Sequence, residues 1–249
     1  MKLLSKLKIK LFADGADKKG MLEMHQHPYI KGFTTNPTLM RKAGITNYKD
    51  FALNVLNVIK DRPISFEVFA DEFEEMRVQA LEIADWGSNV YVKIPVMNTR
   101  GESATPLIRE LAQAGVKQNI TALMTTEQVK EVTAALAEGP SAYISVFAGR
   151  VADTGRDPLP IMRSAVEIMK PYSQLELIWA SPRELLNVFQ ANEIGCHIIT
   201  ATNDILNKLS LVGKDLLAFS LETVKMFRND AMSAGFALLT KNALAEEPV

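Results

Sequence analysis

Ser88-Asn-Val-Tyr-Val-Lys-Ile-Pro95 is the stretch from which the fold can be worked out. The alternation of Val90, Val92 and Ile94 is typical of a short buried strand, which the final proline ends. Lys93 lies near the end of this strand, where a lysine is paired, used in chemistry, or extended along its own aliphatic stem into solvent. Burial favours the neutral amine, which can attack a ketone. Lys93 is therefore a candidate nucleophile, and a solvent-directed surface lysine is the alternative.

Short apolar strands of this kind recur along the chain and alternate with segments of helical spacing. The predicted strands are 9–13, 30–35, 63–69, 88–95, 118–123, 142–147, 175–180 and 196–200. The predicted helices are about 19–27, 48–60, 73–86, 102–114, 125–139, 157 onward, 183–192 and 202–209. This repetition predicts a closed parallel (β/α)8 barrel. An open doubly wound sheet would need a glycine-rich phosphate turn after the first strand, and segment 14–20 has the wrong glycine spacing for one.

The chain of 249 residues, 47% of them hydrophobic, is long enough for one such barrel, and we expect residues 1–249 to form a single domain. A helical extension is predicted at about 211–241. It carries Leu217, Leu221, Val224 and Phe227 on one face. Because an appended amphipathic helix usually covers a barrel end or a neighbouring subunit, we expect a homo-oligomer.

Composition narrows the possible partners and the compartment. The net charge of −1, with both signs interspersed, predicts no nucleic-acid partner and no membrane. A single cysteine, Cys196, and the absence of a signal-peptide pattern indicate a cytoplasmic protein. His25, His27 and His197 do not make a metal-ligand set, since residues two apart on a helix face different ways and no acidic partner completes them.

Polar residues cluster where the predicted strands end. They are Asp14, Thr34, Thr35, Asn36, Glu67, Lys93, Asn119, Thr121, Ser145, Arg150 and Ser181. Each has an ordinary structural explanation, such as a turn at Asn36 or a surface charge at Arg150. Because active sites of (β/α)8 barrels lie at the carboxyl ends of the strands, we expect these side chains to converge on one mouth.

Five motifs, in this order, resemble the transaldolase family. They are Gly32-Phe-Thr-Thr-Asn-Pro-Thr-Leu39, Val90-Tyr-Val-Lys-Ile-Pro95, Asn119-Ile-Thr-Ala-Leu123, Ser145-Val-Phe-Ala-Gly-Arg150 and Ala180-Ser-Pro-Arg183. By length the chain is similar to the short branch, which includes transaldolases and fructose-6-phosphate aldolases. The resemblance implies a Schiff-base aldolase on a (β/α)8 barrel that needs no metal or other cofactor.

The resemblance also implies catalytic roles. Lys93 would form the Schiff base with a ketose phosphate, such as sedoheptulose 7-phosphate or fructose 6-phosphate of the pentose phosphate pathway. Asp14 would take and return the proton at the cleaved bond, as a carboxylate can act as base and then as acid. Glu67 and Thr121 would hold the water used in making and hydrolysing the imine.

Substrate-binding roles follow in the same way. Thr34 and Asn36 would hold the hydroxyls of the dihydroxyacetone unit, with Ser145 lining the cavity. The substrate phosphate would bind Arg150, Ser181 and Arg183. The segment Ser181-Pro-Arg-Glu184 also predicts a capping box, whose helix N-terminus would offer free amides to that phosphate.

Two positions favour transfer over simple aldol cleavage. Phe147 and Glu67 resemble transaldolases, whereas the aldolases carry Tyr and Gln there. A phenol could help to release dihydroxyacetone, and Phe147 cannot. Fructose-6-phosphate aldolase, or a related dihydroxyacetone-dependent aldolase, is the alternative, followed by a non-catalytic sugar-phosphate-binding barrel. Pro182 departs from the aromatic residue common in the family and leaves the phosphate-site geometry open.

Overall fold

A closed parallel barrel forms the centre of the protein, which we describe from a computed structural model covering residues 6–238. Its strands pair in sequence order, and β1 also pairs with β8. The strands are β1 Lys10–Asp14, β2 Ile30–Thr34, β3 Ile64–Glu67, β4 Val90–Pro95, β5 Gln118–Leu123, β6 Ala142–Val146, β7 Leu175–Trp179 and β8 Ile198–Thr202. The predicted (β/α)8 barrel is thereby confirmed.

Helices follow the strands around the outside of the barrel. They are α1 Lys18–His25, α2 Pro37–Lys42, α3 Tyr48–Leu56, α4 Phe73–Ala84, α5 Thr105–Gln113, α6 Thr126–Leu136, α7 Ala148–Asp153, α8 Leu159–Met169, α9 Leu186–Glu193 and α10 Asn203–Asn207. Further along the chain, α11 spans Leu216–Ser233. A 3-10 turn, Lys208–Leu211, follows α10. The predicted appended C-terminal helix is therefore present as α11.

The sequence did not predict α2 and α7. Asn36 begins α2 as its N-cap, accepting a hydrogen bond from the backbone N–H of Leu39 (2.9 Å), where a simple turn was the ordinary expectation. A capping box begins α6, because Thr125 and Gln128 exchange side-chain to backbone hydrogen bonds. Both short helices, α2 and α7, lie at the carboxyl ends of strands, which brings them to the barrel mouth.

Side chains fill the lower half of the barrel interior. The rings of Tyr91 and Tyr143 stack with centroids 4.1 Å apart, and Phe12 meets Tyr143 edge-on at 5.7 Å. A Cβ at Gly32 would lie 2.5 Å from the ring of Phe12, so only glycine fits beside this ring. The barrel is consequently a packed core below and an open cavity above.

The side chain of His197, just before β8, hydrogen-bonds the backbone of the neighbouring strand β7. Its Nδ1 accepts a hydrogen bond from the backbone N–H of Leu177 at 3.0 Å, where a strand carbonyl would ordinarily serve. Burial lowers the pKa of the His197 imidazole and outweighs the opposing charge of Glu176. The neutral imidazole is therefore the form that holds these strands together.

The described residues divide into two compact units, one up to Leu209 and the other from Ser210 onward. In the second unit, α11 has no buried residue, and its Asp215 accepts the capping hydrogen bond of Ala218 N–H at 2.8 Å. The predicted extension reached residue 241, and its last residues lie outside the described part of the chain.

Candidate active site

A cavity of about 650 Å³ opens at the carboxyl ends of the strands. All the residues that the sequence singled out for catalysis or substrate binding line it. They are Asp14, Thr34, Asn36, Glu67, Lys93, Thr121, Ser145, Phe147, Arg150, Ser181 and Arg183. The convergence expected from the strand ends is thus observed for these residues, whereas Thr35 and Asn119 do not line the cavity.

Lys93 and Glu67 form a buried ion pair at the floor of the cavity. Lys93 is 6% exposed, and its Nζ lies 3.0 Å from Glu67 Oε2. The same Nζ donates a hydrogen bond to the backbone oxygen of Thr35 at 3.0 Å. The pairing of β3 with β4 sets these residues side by side, since Glu67 and Lys93 are register partners. Burial is thus joined by a second factor that favours the amine, a carboxylate close enough to accept its proton.

Asp14 faces the same cavity from the end of β1. Its Oδ1 accepts a hydrogen bond from the hydroxyl of Thr34 at 2.7 Å. Burial raises the pKa of Asp14, against the lowering effects of the Lys93 ammonium and the Thr34 hydrogen bond, while Glu67 raises it further. Asp14 therefore holds a proton more readily than an exposed aspartate does, which suits a group that must both take and return one.

Thr121 presents a buried hydroxyl without a protein partner. Its side-chain oxygen has no hydrogen bond within the described residues, although Thr121 lines the cavity and is 2% exposed. The next residue, Ala122, has a φ of 66°, and the β5–β6 register shifts between Ile120 and Leu123. A non-glycine residue in the left-handed region is strained, and such strain gathers at functional sites. A buried polar atom of this kind needs water or substrate as its partner.

Beneath the cavity, a hydrogen-bonded row of side chains crosses three strands. Ser145 donates to Asn119 Oδ1 at 2.7 Å, and the Asn119 amide donates to Ser65 Oγ at 2.9 Å. All three residues are buried. A fully paired polar row is rigid, so it fixes the position from which Ser145 faces the cavity.

Phe147 and Asn36 stand on the cavity wall. Phe147 packs partly against the interior aromatic cluster and offers the cavity no proton, in keeping with the contrast drawn from the sequence. The Oδ1 atom of Asn36 is occupied by its capping bond to Leu39. Any hydrogen bond that Asn36 donates to a substrate hydroxyl therefore comes from its Nδ2.

Two arginines lie on one side of the mouth. Arg183 is tied down, because its Nε donates to Asp153 Oδ1 at 2.7 Å and a second bond joins the same two side chains. Its Nη1 also donates to Ser181 Oγ at 2.9 Å. The hydrogen bond from Arg183 lowers the pKa of Asp153, and the charges of Arg183 and Arg150 add to this. The two cations and one hydroxyl form a site suited to a phosphate dianion.

The capping box predicted at Ser181 is wrong. Helix α9 begins at Leu186, and Ser181 has a φ of 58° instead of the extended backbone that an N-cap needs. The backbone N–H groups of Arg183 and Glu184 both donate to Asn187 Oδ1, at 2.8 and 3.1 Å. The amides expected to be free for phosphate are therefore occupied, and the site depends on side chains.

The geometry around Gly149 explains the altered turn. A Cβ at Gly149 would lie 1.5 Å from the backbone oxygen of Ser181, so the start of α7 and the turn after β7 are in direct contact. Pro182 is buried and lines the cavity beside them. The turn is thus shaped by its neighbour, which no local sequence rule describes.

Several cavity residues were missed by the sequence analysis. They are Lys42, Thr200, Thr202 and Asp204. Thr200 and Thr202 follow Ile198 at intervals of two on β8, so strand alternation could have found them. The prediction ended this strand at Thr200 and began a helix at Thr202, which hid the alternation.

Within the described residues, no helix is long and apolar enough to span a membrane.

A sequence model of the family described as "Transaldolase/Fructose-6-phosphate aldolase" matches residues 11–247. A Thermoanaerobacter sp. (strain X514) protein named "Probable transaldolase" is 33% identical over 92% of this chain and 100% of its own length. A Streptococcus equi subsp. zooepidemicus (strain MGCS10565) protein of the same name is 35% identical over 81% of this chain and 90% of its own length.

Solved structures match the fold at low sequence identity. A 2,3-dimethylmalate lyase of the PEP mutase/isocitrate lyase superfamily aligns with a TM-score of 0.54 at 13% identity, over 96% of this chain and 88% of that one. A protein titled "QR15, an Aldolase" aligns with a TM-score of 0.53 at 13% identity, over 82% of this chain and 97% of that one. At such identities the likeness concerns the barrel alone.

Proposed function

The chain belongs to the transaldolase/fructose-6-phosphate aldolase family, and from that premise we propose that it is a Schiff-base transaldolase. It would transfer a dihydroxyacetone unit from a ketose phosphate, sedoheptulose 7-phosphate or fructose 6-phosphate, to an aldose phosphate. One observation carries the proposal: a buried lysine amine, 3.0 Å from a carboxylate, shares a cavity with a second carboxylate whose pKa burial raises.

The first step uses Lys93, Glu67 and Thr121. Glu67 accepts a proton from the ammonium of Lys93, and the free amine attacks the ketone carbon of the donor. The carbinolamine then loses its hydroxyl as water, which leaves a protonated iminium. A water bonded to the unpartnered hydroxyl of Thr121 relays the protons between Glu67 and the departing oxygen.

Asp14 serves the second step. It removes the proton from the hydroxyl on the carbon of the breaking bond that belongs to the departing aldose. That oxygen becomes the aldehyde oxygen as the carbon–carbon bond breaks. The electron pair of that bond moves into the iminium and gives a neutral enamine on Lys93. The aldose phosphate leaves, and Asp14 returns its proton when the enamine attacks the acceptor aldehyde. Water then hydrolyses the new iminium by the reverse of the first step, which releases the product ketose phosphate and the Lys93 amine.

The remaining cavity residues hold the substrate. Thr34, Asn36 and Ser145 bind hydroxyls of the three-carbon unit, while Arg150, Ser181 and Arg183 bind the phosphate. They support the proposal because they lie along one cavity large enough for a sugar phosphate.

Trapping with borohydride tests the Schiff base. Fructose 6-phosphate and borohydride should add one reduced dihydroxyacetone unit to the intact mass, and peptide mapping should place it on Lys93. Lys42, which also lines the cavity, is the internal comparison and should stay unmodified. Loss of the adduct on adding an acceptor aldose phosphate, before reduction, indicates transfer. If borohydride traps no adduct with either ketose phosphate, the mechanism is refuted, and the non-catalytic sugar-phosphate-binding barrel becomes the remaining interpretation.

Fructose-6-phosphate aldolase is the second candidate, because the matching family includes it. The wall residue Phe147 favours transfer, as a phenyl ring cannot protonate the enamine. We expect Phe147→Tyr to increase release of free dihydroxyacetone relative to transfer. If the unmodified protein already releases free dihydroxyacetone faster than it transfers the unit, aldolase is the correct assignment.

We further propose that the active protein is a homo-oligomer and acts in the cytoplasm. Helix α11 supports the homo-oligomer because it exposes Leu217, Leu221, Val224 and Phe227, each by more than half. Light scattering coupled to size exclusion should give a multiple of the chain mass, and Phe227→Asp should reduce it. A monomer at every concentration would contradict the proposal.

A further inference from the structure

A second hydroxyl lies behind the Thr34–Asp14 contact. The oxygens of Thr34 and Thr200 are 2.6 Å apart, and both residues are buried, at 2% and 5% exposed. Thr34 comes from β2 and Thr200 from β8, the two strands that flank β1. Their contact therefore joins two strands that are not neighbours, beneath the carboxylate of Asp14.

The direction of these hydrogen bonds follows from proton counting. A hydroxyl has one proton to donate. When Asp14 is ionised, Thr34 donates that proton to the carboxylate, so the proton between the threonines must come from Thr200. When Asp14 is protonated, it can donate to Thr34, and Thr34 then donates to Thr200. The row of three groups is paired in both states.

We propose that Thr200 is a positioning residue for proton transfer by Asp14, acting through the hydroxyl of Thr34. This inference rests on the proposed function, in which Asp14 takes and returns a proton. A donor behind Thr34 polarises the Thr34 hydroxyl and strengthens its bond to the ionised carboxylate.

Other charges act on Asp14 and must stay constant in a test. Lys93 on β4 and Glu67 on β3 act on its pKa, and further ionisable groups line the two cavities beside it. These further groups are Asp17, Lys42, Arg150, Arg183 and Asp204. Substituting Thr200 changes none of them, so a displaced pH profile would report the hydroxyl alone.

The test compares Thr200→Val, which replaces the hydroxyl with a methyl group, with Thr200→Ser, which keeps it. We expect Thr200→Val to lower kcat about tenfold. A tenfold change corresponds to about 1.4 kcal/mol, which is the size of the contribution of one hydrogen bond. The acidic limb of kcat should move to higher pH, since losing a bond to the charged form raises the pKa of Asp14. Thr200→Ser should restore both kcat and the limb. Thr133→Val is the matched control, because it removes another buried hydroxyl, one that does not line the cavity and is unpartnered within the described residues.

A double variant separates a relay from a general structural effect. In a Thr34→Val background, adding Thr200→Val should change kcat little, because the group through which it acts has gone. If Thr200→Val does not fold, Thr200→Ala takes its place. Any of three results would overturn the inference. The folded Thr200→Val variant could keep the wild-type kcat and pH limb, Thr200→Ser could fail to restore them, or the two substitutions could have additive effects in the double variant. If borohydride traps no adduct on Lys93 of the unmodified protein, the proposed function has failed instead.

Discussion

Removing the buried lysine should destabilise the barrel by an amount that the ion pair determines. Lys93→Met replaces the side chain with one of similar length and leaves Glu67, 15% exposed, without its cation. Breaking a buried pair by removing one partner costs about 3–5 kcal/mol. Since the cavity admits water, we expect the lower end, about 3 kcal/mol at pH 8, or a fall in Tm on the order of 6–12 °C.

Two comparisons make this prediction specific to the pair. Glu67→Gln in the Lys93→Met background should recover at least half of the loss, because a neutral amide needs no cation. Lys49→Met is the control, since the Lys49–Glu82 pair has a similar distance, 2.8 Å, and both partners are about half exposed. It should cost less than about 1 kcal/mol.

The pH dependence gives a further check. In Lys93→Met, Glu67 and Asp14 lose the Lys93 ammonium, and protonation of the Asp14 carboxyl, whose pKa burial already raises, relieves part of that cost. The deficit in the free energy of unfolding, measured with urea, should therefore shrink between pH 8 and pH 5. A Lys93→Met protein within about 1 kcal/mol of wild type at pH 8, or a double variant no more stable, would refute the reasoning.

Three further outcomes follow from the same structure. Asp14→Asn should abolish activity yet raise Tm at pH 8, because a carboxyl with a raised pKa costs stability once ionised; the gain should vanish as pH falls toward about 4. The wild-type protein should lose stability below about pH 6.5, because there the unfolded chain protonates His197 while the folded chain, which lowers the pKa of this imidazole, does not. His197→Asn keeps an acceptor for the Leu177 N–H but cannot titrate, so its Tm should fall less over the same pH series. Gly149→Ala should cost about 1–3 kcal/mol and raise KM for phosphorylated acceptors, because its Cβ meets the oxygen of Ser181; an unchanged Tm and KM would contradict this.

Periodicity was sufficient to predict the barrel, because each strand and helix buries a face whose spacing the sequence displays. It also predicted where the candidate site lies, since the carboxyl ends of parallel strands must converge. Lys93, at the end of an apolar strand, could be singled out from its neighbours alone. Its partner Glu67 could be placed nearby only after the order of the strands was assumed.

Tertiary contact decided what periodicity could not. The turn at Ser181 follows the start of α7, which touches it through Gly149, and a capping rule based on four residues cannot include that contact. The hydrogen bond between Thr34 and Thr200 joins residues far apart in sequence. It forms only if the alternation of side chains along β8 turns Thr200 toward Thr34. Short helices such as α2 carry too few turns for a helical period to show.

The pairing of β1 with β8 has a consequence for how the protein acquires activity. Asp14 lies opposite Thr202 in this ladder, so nearly all of the barrel sequence separates two strands that must meet. Contacts of such long sequence separation form slowly, because loop closure must be completed first. During synthesis, a ribosome-bound chain cannot set Asp14 in its place between β2 and β8 until β8 has emerged. The return of enzymatic turnover during refolding should therefore coincide with barrel closure, and stopped-flow activity would time that final event directly.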